Sequence, residues 1–90
     1  MKLHNILLGL GKGYVISLSQ GDILYGSHKY HYVDVALMKD ANFINTCYWY
    51  HEDVPYSPDM EDYYDVTMTH VTGLELHNIL AKANLYVEGH

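Results

Sequence analysis

Four runs of this chain alternate in side-chain character with a period of two, and a fifth carries the spacing and cap of a helix. In residues 14–19, Tyr14, Ile16 and Leu18 fall on one side and Val15, Ser17 and Ser19 on the other. In residues 30–38, His31, Val33, Val35 and Leu37 oppose Tyr30, Tyr32, Asp34 and Ala36. Successive side chains of an extended chain point to opposite faces, so both runs predict strands with one face turned to a core. Residues 43–50 are rich in aromatic and β-branched types and predict a third strand, Phe43, Cys47 and Trp49 on one face and Ile44, Thr46, Tyr48 and Tyr50 on the other. Residues 63–71 predict the last, with Tyr64, Val66, Met68 and His70 opposing Tyr63, Asp65, Thr67 and Thr69. Thr72 and Glu75 then have capping-box spacing, and Leu76, Ile79, Leu80 and Ala83 follow at i, i+3, i+4 and i+7.

Leu3, Ile6, Leu7 and Leu10 show the same helical spacing, which predicts a short N-terminal helix stopped by Gly9, Gly11 and Gly13. Gln20, Gly21 and Asp22 supply turn chemistry, with residues 23–25 as a further strand or part of that loop. Residues 39–42 read as a hairpin connector, and Pro55 and Pro58 exclude a central strand from the segment that holds them. A chain of 90 residues has room for one hydrophobic core. The expectation is therefore a single α+β domain over 1–90: a two-layer sandwich in which an antiparallel sheet of three or four strands carries an N-terminal and a C-terminal helix on one face. The opposite sheet face is expected to hold the surplus tyrosines. Residues 3–7 and 76–80 both spell LHNIL, read here as two helices using similar core residues.

The chain is 49% hydrophobic and 18% charged, a balance that folds. Its one cysteine, Cys47, has no internal partner, which points to the cytoplasm. No cleavable leader is read at the N-terminus, and no apolar run reaches membrane-spanning length. Eleven acids face five lysines and no arginine, for a net charge of −6. Holding phosphates requires lysine and arginine to displace counterions, so direct nucleic-acid binding is not expected.

Six of the eleven acids, Glu52, Asp53, Asp59, Glu61, Asp62 and Asp65, fall within residues 51–65, and no lysine occurs between Lys39 and Lys82. Tyr48, Tyr50, Tyr56, Tyr63 and Tyr64 flank or interleave them, and tyrosine offers rigid contact area with a polar tip. These eleven residues form the candidate partner-binding edge, set against the plainer reading of an acid-rich solvated loop. Lys29, Lys39 and Lys82 are the cations whose placement against the acids decides between the two.

His28, His31, Cys47, His51 and His70 are metal-ligating types without zinc-site spacing, and DMED at 59–62 lacks the alternating ligands and glycine of a calcium loop, so no metal is assigned. GLGKG at 9–13 fits neither a Walker loop nor a dinucleotide fingerprint, and no cofactor is assigned. Cys47 is expected to be a buried, inert thiol, and with no activated nucleophile the chain is not read as an enzyme.

Short length, acidity, many tyrosines and the absence of arginine resemble the small phage-encoded inhibitors of host defence, anti-CRISPR proteins and DNA mimics among them. The likeness lies in architecture and charge over the whole chain. It implies an inhibitor that binds a basic, nucleic-acid-handling host protein through the 52–65 edge, in the host cytoplasm. The alternative is a homodimeric small-ligand or metal-binding module whose exposed tyrosine faces form a shared pocket.

Overall fold

In a computed structural model, the chain is described over residues 4–90 apart from Gly26, Glu52, Val54 and Tyr56; for residues 4, 21–25 and 28–31 only the backbone is considered. Two 12-residue strands, β2 (Tyr14–Tyr25) and β3 (His28–Lys39), pair antiparallel over their whole length, from Tyr14↔Lys39 to Tyr25↔His28. The turn expected at Gln20, Gly21 and Asp22 is not made. Main-chain pairing with Val33, Tyr32 and His31 outweighs the local turn preference of these residues and carries the strand through them.

The register places Ile16 against Leu37 and Leu18 against Val35. The face the alternation marked as apolar is therefore the buried one: Tyr14, Ile16, Val35 and Leu37 sit in the core. Covering them is α3 (Gly73–Glu88), which Thr72 caps by accepting the Glu75 N–H at 3.4 Å. Its Ile79, Ala83 and Val87 are buried against the sheet, with Leu76, Leu80 and Tyr86 packed around them. This stripe is the one the helical spacing predicted. The ring of Tyr86 meets that of Tyr14 edge-on at 5.8 Å, an arrangement aromatic quadrupoles favour.

The N-terminal helix is not formed; residues 4–11 are instead a strand, β1 (His4–Gly11), paired with β2. Two glycines within eight residues weaken a helix, while Ile6, Leu7 and Leu8 in succession suit either state, so the free rim of β2 decides. Gly11 and Gly13 make the β1–β2 hairpin turn rather than a helix stop, while Gly9 pairs with Val15 inside the strand. Gly11, Lys12 and Gly13 all have positive φ, at 88°, 56° and 84°. Lys12 reaches from that turn to the C-terminal end of α3, where Nζ donates to the carbonyls of Val87 and Glu88 at 3.1 and 3.3 Å. A cation there satisfies orphan carbonyls and complements the helix dipole.

Beyond β3 lie two short strands, end to end on one rim. β4 (Asn42–Ile44) pairs with Leu37, Met38 and Lys39, and β5 (Thr67–Val71) pairs with Val33, Val35 and Ala36. The strand expected over 43–50 therefore stops at Ile44, because β5 occupies the rim along which it would continue. The chain turns instead into α1 (Thr46–Trp49), which buries Cys47 and Trp49. Likewise 63–71 is strand only from Thr67; Tyr63 ends a second short helix, α2 (Met60–Tyr63). Among the described side chains, Tyr32 lies on the open sheet face, whereas Tyr14 is in the core and Tyr48, Tyr63 and Tyr64 lie beyond β4; the side chains of Tyr25, Tyr30 and Tyr56 lie outside the described residues.

The β3–β4 turn, Asp40–Ala41, has φ of 50° and 68°, the mirror-image conformation that two-residue hairpins prefer and that an alanine Cβ opposes. Ala41→Gly should therefore stabilise the protein by about 1 kcal/mol. At Gly13 the opposite holds, since an added Cβ would lie 2.8 Å from Oδ1 of Asp40 in a left-handed backbone, and Gly13→Ala should cost about 1–3 kcal/mol. Urea unfolding at constant m-value measures both; equal and small shifts would contradict the turn assignment.

Candidate functional site

Asn45 stands where β4 ends and α1 begins, and it binds in both directions. Its Oδ1 accepts the Cys47 N–H at 3.0 Å, the N-cap bond of α1, while its Nδ2 donates to the Tyr64 carbonyl at 2.6 Å and to that of Glu61 at 3.4 Å. The next residue, buried Thr46, gives both its N–H and its hydroxyl to the Asp65 carbonyl, at 3.0 and 2.8 Å. These bonds draw residues 61–65 against 45–46 although fourteen residues, 47–60, separate the two segments.

The result is an open groove. One part, about 530 Å³, is lined by Phe43, Ile44, Asn45, Tyr48, Glu61, Asp62 and Val66. A second part, about 470 Å³, shares Asn45, Glu61, Asp62 and Val66 and adds Tyr63, Tyr64 and Asp65. Tyr48 donates its hydroxyl to Glu61 Oε1 across the groove, and Tyr63 is 80% exposed at its rim. Six of the eleven residues assigned to the edge thus meet here: Tyr48, Glu61, Asp62, Tyr63, Tyr64 and Asp65.

Three of the other five, Tyr50, Asp53 and Asp59, do not line it. Tyr50 turns toward the core, its ring edge-on to Trp49 at 5.9 Å and beneath Lys82 Nζ at 4.7 Å. Asp53 is exposed, and Asp59 accepts the Ser57 hydroxyl at the start of α2. Glu52 and Tyr56 lie outside the described residues. Phe43, Asn45 and Val66 belong to the groove but carry no charge and had been assigned to strands. Asn45 did leave a signal, since asparagine is among the favoured N-cap residues.

No described lysine neutralises the groove. Lys82 Nζ donates to the Tyr50 carbonyl at 3.0 Å, Lys39 lies over the Tyr14 ring at 4.8 Å, and Lys12 is held at the end of α3. Among the described residues none of these cations pairs with Asp53, Asp59, Glu61, Asp62 or Asp65; the Lys29 side chain lies outside them. Among the described residues the rim is left uncompensated, and there Glu61, Asp62 and Asp65 set a negative local field.

Behind the groove, the His51 ring stacks on that of Tyr64 at 4.2 Å and meets Tyr50 edge-on at 4.9 Å. Burial holds its pKa below the ordinary 6.5; the charge of Lys82 acts in the same direction, and Asp53 opposes both without prevailing. The Cys47 thiol is pushed above its usual range by burial first and by Glu61 second, so it stays protonated, as expected of an inert thiol, though within α1 rather than a strand. Among the described residues no three His, Cys, Asp or Glu side chains gather as a metal site would require, and no helix is long and apolar enough to cross a membrane.

Asn45→Ala removes a cap and two donated bonds and should cost about 1–2 kcal/mol in urea unfolding. Asn45→Asp should not restore it, since a carboxylate has no hydrogen to give Tyr64; full rescue would refute the bridging role. For His51, a folded pKa below the unfolded one means that the unfolded chain binds the extra proton. The stability it contributes is complete above about pH 6.5 and is lost as pH falls from there through the folded value. His51→Phe keeps a ring on Tyr64 and should flatten the stability difference between about pH 7.5 and about pH 5.5; an unchanged slope would assign it to other groups.

Comparison with known protein families, curated proteins and solved structures finds no match to this chain.

Proposed function

We infer that the chain is an interaction protein whose acidic groove binds a lysine- and arginine-rich surface of a partner protein. One observation carries this reading: Glu61, Asp62 and Asp65 line a groove with Tyr48, Tyr63 and Tyr64, while the described lysines bind main-chain carbonyls or lie over rings elsewhere. The groove is open and mostly polar, which suits a protruding side chain or an extended segment better than an enclosed small molecule. Arginine fits it twice over, its planar guanidinium matching a carboxylate and stacking on a tyrosine face.

A partner surface that recognises three carboxylates is chemically one that holds phosphates. The chain in this reading occupies the nucleic-acid-binding surface of a basic protein and blocks it, as the resemblance to phage-encoded defence inhibitors implies. Exposed carboxylates contribute little individually, so affinity comes from several contacts with aromatic area between them, and the charges chiefly speed encounter.

Titration calorimetry with an arginine-rich peptide tests the groove. Binding should weaken at least about tenfold between about 50 mM and about 500 mM salt, as screening predicts, and the triple variant Glu61→Gln, Asp62→Asn, Asp65→Asn should lose most of it while keeping the fold. A peptide of the same length rich in glutamate should not bind. Affinity that ignores salt, or survives the triple variant, would remove the reading.

A further inference from the structure

β1 is the edge of the sheet remote from the groove. Its inner rim pairs with β2 from His4↔Gln20 to Gly11↔Tyr14, and no described strand pairs with its outer rim. Such a rim presents main-chain N–H and C=O groups to any extended chain, and monomeric proteins guard it with lysine, proline or an inward charge. HNILLGLG has none of these. Its one irregularity, between Gly9 and Gly11, lies at the turn end and leaves residues 4–9 regular.

The side chains are equally unguarded. Ile6, Leu7 and Leu8 are 50%, 68% and 39% exposed. Register puts Ile6 and Leu8 on the face that bears α3, opposite Leu18 and Ile16, and Leu7 on the other face, opposite Ser17. Large apolar residues on both faces are the pattern of a strand inside a sheet.

We propose that β1 pairs antiparallel with β1 of a second copy, about a two-fold axis through Leu7 perpendicular to the sheet. Charge leaves this edge open to a second copy. A copy carrying a net −6 repels its twin wherever acids meet, and β1 is the longest described element without an acid. Symmetry selects the register: a perpendicular two-fold keeps each face on its own side, so opposed side chains match only when a residue lies on the axis. With Leu7 there, Leu7 meets Leu7, Ile6 meets Leu8 and Asn5 meets Gly9, all within the regular stretch. The two helices α3 share one face of a continuous sheet, and the two grooves lie at its far edges, so the proposal is independent of what the groove binds.

Sedimentation equilibrium should show a monomer–dimer equilibrium that tightens as salt rises, because only like-charge repulsion is screened; the sign is opposite to that expected for peptide binding at the groove. Leu7→Lys should raise the dimer dissociation constant at least about tenfold with an unchanged circular dichroism spectrum. Leu7→Cys should form a covalent dimer under diamide, since opposed Cβ atoms of such a pair approach to about 4.5–5.5 Å, whereas Leu74→Cys, at an exposed position of α3, should not and native Cys47 is buried. A wild-type monomer at every concentration, a dimer that survives Leu7→Lys, or crosslinking no faster at position 7 than at 74 would each overturn the proposal.

Discussion

The full-length ladder between β2 and β3 is the constraint on which the rest of this structure depends. Its buried face, Ile16 and Leu18 against Leu37 and Val35, is the surface that α3 covers, and its two rims set the place of every other strand. One rim takes β1 and the other is divided between β4 and β5. Because that second rim is shared, the chain must leave the sheet after Ile44 and return at Thr67, and the acidic segment is the excursion between those points. The candidate site is thus a consequence of strand pairing, placed by main-chain geometry rather than by its own side chains.

Within the excursion, a few hydrogen bonds replace what a ladder would supply. Asn45 and Thr46 satisfy the carbonyls of Glu61, Tyr64 and Asp65, and His51 stacked on Tyr64 closes the same segment from behind. Buried main-chain groups need partners, so these bonds fix the backbone while leaving Glu61, Asp62 and Asp65 to point outward. The core here carries one cost: the indole N–H of Trp49 has no acceptor among the described residues, a penalty of about 1–3 kcal/mol offset by the apolar contacts of a fully buried ring. The described lysines serve the fold, Lys12 at the end of α3 and Lys82 at the end of α1. The negative field of the groove survives among the described residues because the described cations are engaged elsewhere.

Part of the site was legible from residue order alone. Acids and tyrosines crowded into 48–65 must stay near one another, and six of the assigned residues do converge. Tyr50 could not be assigned from its type, since α1 rotates it toward Lys82 while Tyr48, two residues earlier, faces Glu61. A strand would have put both on one face, as the alternation predicted; a helical turn separates them. Phe43, Asn45 and Val66 lacked any charge or clustering to mark them, and their role is visible only once the groove exists.

The tetrapeptide His-Asn-Ile-Leu occurs twice, at 4–7 in β1 and at 77–80 in α3. For the second copy the sequence was sufficient: Thr72 caps, Ala81, Lys82 and Ala83 favour helix, and the apolar stripe continues for three turns, so local terms agree. For the first, Gly9 and Gly11 withdraw that local support, and the outcome passes to pairing with β2, whose residues opposite 4–7 lie ten to sixteen positions away. Residue order along the chain was enough for the α+β class, the two long alternating strands, the capped C-terminal helix and the negative charge, because each rests on near neighbours. The N-terminal strand, the break at Asn45 and the shape of the groove were settled by long-range pairing, because each depends on which rim of β3 or β2 is already occupied.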